Sequence, residues 1–483
     1  MTENSGSEFD TAGEYCSRLA QTLGPKVSFP NSSAYLATEG AYWSLQEAEL
    51  SPTCIVVPST VDDVSTTVST IAGNQGCPFA IKGAGHAPQA GAANIQSGVT
   101  IDMTGLASVT VNGDKTVASV DAGASWLDVY LYLDGLGVAV AGGRNAAVGV
   151  GGLTLGGGIS YFAPREGWAC DNVVNFQIVL ASGAVVNANA TARSDLWRAL
   201  KGGSNNFGVI TRFDLQTFSQ GDLWGGSLTQ SIDSSDEVFE AFATIASAPQ
   251  YDPYASLVTG LTFNSTSQQW LIGHLATYTK PVADPPVFEG LLAIEPQLQN
   301  TLGFTNLSTL TNEPGLPVQL NSLFYTATYG VSATLLAKIL DISNETIYST
   351  YSQVPGGLLW SLAFEPLPTL VTKFGPVKGG NSLGTTPTDG NGVVLLLSAF
   401  WASTSANAFV QHTAQTIMQK ANEAARDMGM LHEFVYLNYA NQDQDPISSY
   451  GWENVASLRA AATKYDPHGI FQKQVPGGFK LPA

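Results

Sequence analysis

Positive charge is the first thing in short supply. The chain of 483 residues carries 20 Lys and Arg against 39 Asp and Glu, giving a net charge of −19 and a pI near 4.5. Nucleic acids and anionic membranes both need a basic face, so neither is expected as a partner. Long apolar runs are missing too, and none reaches the ~18–20 residues that span a bilayer. Cysteine is rare. Cys16, Cys54, Cys77 and Cys170 show no C-x-x-C spacing, which argues against a zinc site, and no metal is expected. Three of the four lie in the first 80 residues, so one disulfide from Cys16 to either Cys54 or Cys77 is expected. Three signatures of other chemistries are absent. Without G-x-x-x-x-G-K-[S/T] the chain is no P-loop NTPase, and without G-x-S-x-G it has no hydrolase nucleophile elbow. No glycine run opens a helix directly after a strand as G-x-G-x-x-G, so there is no Rossmann site.

What is present is a large core and much glycine. Hydrophobic residues make up 44% and charged residues 12%, the composition of a well-cored globular chain long enough for two or three domains. The first part reads as α+β. Cys54–Val57 is β-branched and predicts a strand. Thr60-x-x-Asp63 caps a helix with Val64, Val68 and Ile71 on one face, and Phe79–Ile81 returns as a strand. Val109–Val111 and Val117–Val120 form a hairpin about Asn112-Gly113; Val173–Leu180 and Ala184–Ala188 form another about Ser182-Gly183. Two small sheets follow. After about residue 220 the character changes to longer aromatic and β-branched strands, with a helix whose apolar face runs from Phe409 to Met428 and ends at Gly429. Glu433–Asn441 is expected as a last strand.

Three glycine loops carry the chemistry. The first is Lys82-Gly83-Ala84-Gly85-His86. The second spans Val148–Tyr161 and includes Val148, Gly149, Gly152, Gly156, Gly157 and Gly158. The third, Leu200–Thr211, contains Gly208 and Val209. Small residues let a ligand approach the backbone, and successive N–H groups can nest an anion. Near the C-terminus come Tyr436-Leu437-Asn438-Tyr439 and Tyr450-Gly451-Trp452-Glu453-Asn454.

In this order the motifs resemble the vanillyl-alcohol oxidase (PCMH-type) superfamily of flavoproteins, most closely its fungal, berberine-bridge-enzyme-like FAD-linked oxidases. The resemblance implies a PCMH-type FAD-binding domain of two α/β subdomains over 1–219. It implies an inserted substrate domain over 220–430, an antiparallel sheet covered by helices, and a returning segment over 431–483. It also implies FAD held by one covalent link through His86. Relatives form a second link from a cysteine where this chain has Asn145. Lys82, Gly83, Ala84, Gly85, Gly149, Gly152, Gly156, Gly157, Gly158, Gly208, Val209, Tyr436 and Asn438 are the implied cofactor contacts.

Val148 stands at the position resembling an oxygen gate, where a small residue goes with oxidases. Tyr439 is the implied catalytic base or, with equal weight, a pocket residue. The acidic partner some relatives use would fall in 378–391, which offers only Asp389. Trp360, Phe364, Phe400 and Trp401 are candidates for the substrate wall. His274, His412, His432 and His468 read as structural or exposed.

The expected activity is hydride transfer from an alcohol or amine C–H bond to flavin, with O2 reduced to H2O2, in secondary-metabolite tailoring. Two alternatives stay open: a secreted oligosaccharide oxidase, and a flavin-bearing cyclase or low-turnover binding protein. A monomer is expected. Five N-x-S/T sequons (Asn31, Asn189, Asn264, Asn306 and Asn344) fit secretion. Gly6-Ser7-Glu8-Phe9 reads as a cloning scar from which a leader was removed; the alternative location is the cytoplasm.

Overall fold

The computed structural model describes residues 10–72, 76–312, 317 and 319–482. The stretch read as a cloning scar lies outside them. The chain folds around two main cores. The first holds two small sheets. One runs Val27–Ser28, Cys54–Val56, Val99–Asp102, Phe79–Lys82, its last three strands parallel. Parallel pairing needs a crossover, and the helix Val61–Ile71 supplies it. Thr60 and Asp63 close a reciprocal capping box at its start, and Val64, Val68 and Ile71 are fully buried. The other sheet is antiparallel, in the order Val109–Val111, Val117–Asp121, Val209–Gln216, Val173–Val179, Val185–Asn189.

The hairpin at Asn112-Gly113 is wider than a two-residue turn. Asn112 N donates to Val117 O, the Asn112 carboxamide receives the N–H groups of Thr116 and Val117, and Lys115 takes the left-handed conformation at φ 56°. The Asn112 side chain does the work a tight type I′ backbone would otherwise do. Of the two pairings left open for Cys16, the structure forms Cys16–Cys54. Cys77 and Cys170 are buried thiols.

The second core lies under one face of a nine-stranded antiparallel sheet whose strands run from Leu223 to His432. The helices Ser235–Ala246, Ala333–Thr350 and Asn407–Asp427 cover that face. The strand Leu358–Leu367 shows how the faces divide. Trp360, Leu362 and Phe364 point into the helix-covered core, whereas Leu359 and Ala363 pack with Trp43, Phe324, Leu396 and Phe400 on the other side. Strand side chains alternate between faces. Trp360, Phe364 and Trp401 are therefore core residues, not substrate wall; of the four aromatic candidates only Phe400 faces the seam with the first core.

His274 is buried on the helix side. Its Nε2 lies 3.0 Å from Gln230 Oε1, and its Nδ1 lies 3.0 Å from Thr259 Oγ1. Gln230 spends its NH2 group on Leu291 O and Ile294 O, so its oxygen faces His274. That fixes Nε2 as the donor and Nδ1 as the acceptor for Thr259. Burial pushes the imidazole pKa down to about 4 from 6.5. Between those values the unfolded chain holds the extra proton. Stability contributed by His274 therefore rises with pH across that window and is lost as pH falls toward 4. The span is on the order of 3 kcal/mol. Denaturant unfolding at pH 4.5 and pH 6.5 is expected to show the difference, and His274→Gln is expected to remove most of it.

Candidate active site at the seam

The first glycine loop leaves the strand Phe79–Lys82 at the edge of its sheet. Gly85 takes φ 72°, and its carbonyl receives the Trp43 N–H at 3.0 Å. A side chain there would press on Tyr42 at 2.9 Å, so glycine is required twice over. Lys82 turns beneath the loop, almost fully buried, to an ion pair with Asp102 at 3.2 Å. Its stem also packs under the loop, with Cε 3.1 Å from where a Cβ on Gly85 would sit. His86 emerges half-buried with its imidazole stacked on the Trp43 indole, centroids 4.5 Å apart and planes 10° apart. Burial pushes its pKa down to about 4, so the ring is neutral near pH 7.

The second loop lies directly against the first. A Cβ on Gly149 would sit 2.8 Å from Ala84 N, whereas Gly152 faces open space and Gly83 meets nothing closer than 3.9 Å. The contact at Gly149 thus falls on the loop two residues before His86. Thr154 adds a buried hydroxyl with no hydrogen-bond partner among the described residues. Peptide groups bare of side chains at Gly83 and Gly152, a spare hydroxyl and a neutral imidazole suit an extended dinucleotide such as FAD. Val148 is half-buried, its carbonyl accepting the Trp126 N–H at 3.0 Å.

Gly157, Gly158 and Gly208 lie close against neighbouring groups. Gly157 (φ 107°) and Gly158 (φ 86°) accept Cys170 N and Ala169 N through their carbonyls. Gly208 fits against Val179 and Ile178, and Val209 is fully buried in its strand.

The returning segment differs from the expected strand. Only Leu431–His432 pairs with the sheet; Leu437–Tyr439 is a 3-10 turn, closed by Tyr439 N donating to Tyr436 O at 3.0 Å. Residues three apart in such a turn lie on one side, while in a strand they would point oppositely. Tyr436 and Tyr439 accordingly meet edge to face at 4.8 Å. Asn438 spends its NH2 group on Leu153 O (2.9 Å) and Tyr436 Oη (3.0 Å), and Tyr436 Oη also receives the Ile159 N–H (2.9 Å). These two side chains clamp the second loop to the turn. A Cβ on Gly156 would lie 2.0 Å from Asn438 Oδ1, so that clamp needs glycine.

Two charged residues that sequence reasoning passed over complete the site. Tyr439 donates to Glu365 Oε1 at 2.9 Å, and one Arg144 nitrogen, Nη2, donates both to Tyr439 Oη at 2.9 Å and to Glu365 Oε2 at 2.7 Å. Glu365 comes from the sheet strand Leu358–Leu367; Asp389, the one carboxylate in 378–391, instead caps its own turn at Thr386. Arg144 follows two glycines whose Cβ atoms would strike the Trp126 ring at 2.2 and 2.5 Å. Without them the chain could not cross that indole to reach the seam. Arg144 and Glu365 are both nearly buried. Burial and the Glu365 carboxylate hold the Tyr439 phenol well above its ordinary value, against the opposing pull of Arg144. Burial works against the Arg144 charge, but Glu365 outweighs it and raises its pKa. The result is a neutral phenol hydrogen-bonded between a fixed cation and a carboxylate, within ring contact of Phe324.

The signals were there to read. Glu365 is the one carboxylate in an apolar ten-residue strand, and Arg144 directly follows Gly142-Gly143.

Comparison with known proteins agrees with this geometry. The FAD binding domain family matches residues 52–189. The FAD-dependent monooxygenase drtC of Aspergillus calidoustus is 35% identical over 478 residues, covering 98% of this chain and 91% of its own. Among solved structures, the berberine-bridge-enzyme-like protein 1 of Physcomitrella patens superposes with a TM-score of 0.77 at 19% identity, over 97% of this chain and 99% of its own. Glucooligosaccharide oxidase of Acremonium strictum, whose FAD is 6-S-cysteinyl and 8α-N1-histidyl, gives 0.76 at 18% identity, over 97% and 100%. Among the described residues, no helix is long and apolar enough to cross a membrane. The chain belongs to the family of FAD-binding oxidoreductases that includes the fungal FAD-dependent monooxygenase drtC, and it has the fold of the berberine-bridge-enzyme-like proteins.

Proposed function

We propose that the protein is an oxidase that dehydrogenates a hydroxylated small molecule in secondary-metabolite tailoring. The observation that carries this reading is the Arg144–Glu365–Tyr439 cluster at the seam. FAD, when bound, accepts two electrons and the hydrogen of the substrate C–H bond and returns the electrons to O2. The chain supplies the proton chemistry. A substrate hydroxyl against Tyr439 Oη gives its proton to that oxygen as the phenol passes its own to Glu365 Oε1. Tyr439 thus never has to exist as a free phenolate, which its raised pKa would oppose. Arg144 fixes the angle between phenol and carboxylate and offsets the charge that collects as the substrate proton leaves. Phe324, Phe400 and Leu396 form an apolar wall beside the phenol that keeps water out.

His86 is the site of the single covalent link. Asn145 offers no thiol for a second, and its carboxamide instead receives the Ala147 N–H at 2.9 Å. Val148, small and beside the loop contact at Gly149, leaves room for O2. The reading includes a monomer from an oxidising compartment. Support for that compartment is the Cys16–Cys54 disulfide and the exposed sequon residues Asn31, Asn264 and Asn306.

A second reading, insertion of an oxygen atom into the product, is favoured by the monooxygenase name of the Aspergillus relative. The first test is H2O2 release against a panel of benzylic and allylic alcohols, phenolic polyketide-like compounds, cyclic amines and oligosaccharides. Release with a phenolic or alcohol substrate is the expected outcome. Substrate turnover with no H2O2 would overturn the oxidase reading.

A further inference from the structure

Trp43 has no part in any of the glycine motifs, yet its side chain touches both His86 and the large sheet. Its backbone N–H binds Gly85 O at 3.0 Å, and its carbonyl receives the Gln319 N–H at 2.7 Å. One face of its indole lies flat on His86. The ring also meets Phe324 at 5.6 Å and Phe400 edge-on at 5.8 Å, two residues from neighbouring segments of the large sheet. The indole is buried. Its position is thus set from two sides by backbone and from a third by aromatic edges.

The His86 imidazole hydrogen-bonds to its own main chain, and the flat contact with the Trp43 indole is the tertiary contact that sets its plane. An unpinned imidazole rotates about two side-chain torsions. A covalent bond to a bound ring forms only from the narrow range in which a ring nitrogen faces its partner.

We propose that Trp43 is a positioning residue for cofactor attachment, holding the His86 imidazole in the plane from which it bonds to the flavin. The proposal rests on the His86-link reading above. Attachment forms one C–N bond between an imidazole nitrogen and the flavin 8α-carbon. It breaks one C–H bond of that methyl group and one imidazole N–H bond. The two protons and two electrons released reduce O2, the oxidant, to H2O2. Trp43 takes no part in these exchanges.

The test follows the covalent fraction of bound flavin at intervals after induction, read as fluorescence that stays with acid-precipitated protein. Wild type, Trp43→Phe and Trp43→Leu are compared, with total bound FAD and Tm measured in parallel. Phe keeps a flat aromatic surface and is expected to attach flavin near the wild-type rate. Leu keeps apolar bulk without that surface, and its attachment per bound FAD is expected to slow by at least ~3-fold. Equal rates for Leu and wild type overturn the proposal, as does a lower Tm with attachment per bound FAD unchanged. Should Trp43→Leu fail to fold, Phe400→Leu takes its place. It leaves both stacked rings but removes the edge contact that steadies Trp43, and slower attachment is expected; an unchanged rate overturns the proposal. A wild type whose flavin washes out entirely on acid treatment rejects the His86 link itself, and the proposal with it. A wild type that keeps its flavin alongside a Leu variant that does so equally fast rejects the role of Trp43 alone.

Discussion

Replacing Tyr439 with Phe is expected to lower the rate of anaerobic flavin reduction by ~10²-fold or more, with little effect on folding. The ring is retained, so the contacts to Tyr436 and Phe324 survive. What disappears is the oxygen that stands between Arg144 and Glu365. Glu365→Gln is expected to have an effect of the same order, because the carboxamide keeps the shape but cannot take the proton from Tyr439. The two losses should not add. Residues acting as one proton path fail together, and the double variant is expected to resemble either single one. Stopped-flow reduction across substrate concentrations checks this. A change confined to apparent affinity, with the limiting rate of reduction unaltered, would make Tyr439 a pocket residue only.

His86→Ala is expected to abolish covalent flavin. After acid precipitation the wild-type pellet should be yellow and fluorescent; the variant pellet should be colourless, with FAD in the supernatant. The variant should still bind FAD, since the bare backbone at Gly83 and Gly152 is untouched. Its flavin is expected to be less oxidising, so reduction by substrate should slow even at saturating FAD. Histidine suits the linkage here because burial keeps it neutral at ordinary pH, leaving a nitrogen lone pair free to bond. A yellow pellet from the Ala variant would place the attachment elsewhere.

Much of this was legible in the sequence, for identifiable reasons. Local signals carried through: the Thr60–Asp63 capping box, the helix Asn407–Asp427 with its apolar stripe, and the hairpin at Ser182-Gly183 all formed as their residues dictate. Each depends on neighbours a few positions apart. The failures were of another kind. Segment 433–441 has the residues of a strand, but it must bring two tyrosines to one side of the seam. Tertiary contact with the second glycine loop, through Asn438 and Tyr436, overrides its propensity. Glu365, Arg144 and Trp43 come from three distant segments and meet only where the large sheet closes on the glycine loops. No spacing in the chain encodes that meeting. Even so, a lone carboxylate in an apolar strand deserved suspicion, because a buried charge persists only with a partner.

The most direct measurement is the fate of labelled oxygen. The enzyme is turned over with its substrate under 18O2, and product and H2O2 are analysed together by mass spectrometry. Dehydrogenation at the Tyr439–Glu365–Arg144 site predicts one labelled H2O2 for each product molecule and no 18O in the product. Labelled oxygen in the product, with H2O2 falling in proportion, would contradict it and establish oxygen insertion instead.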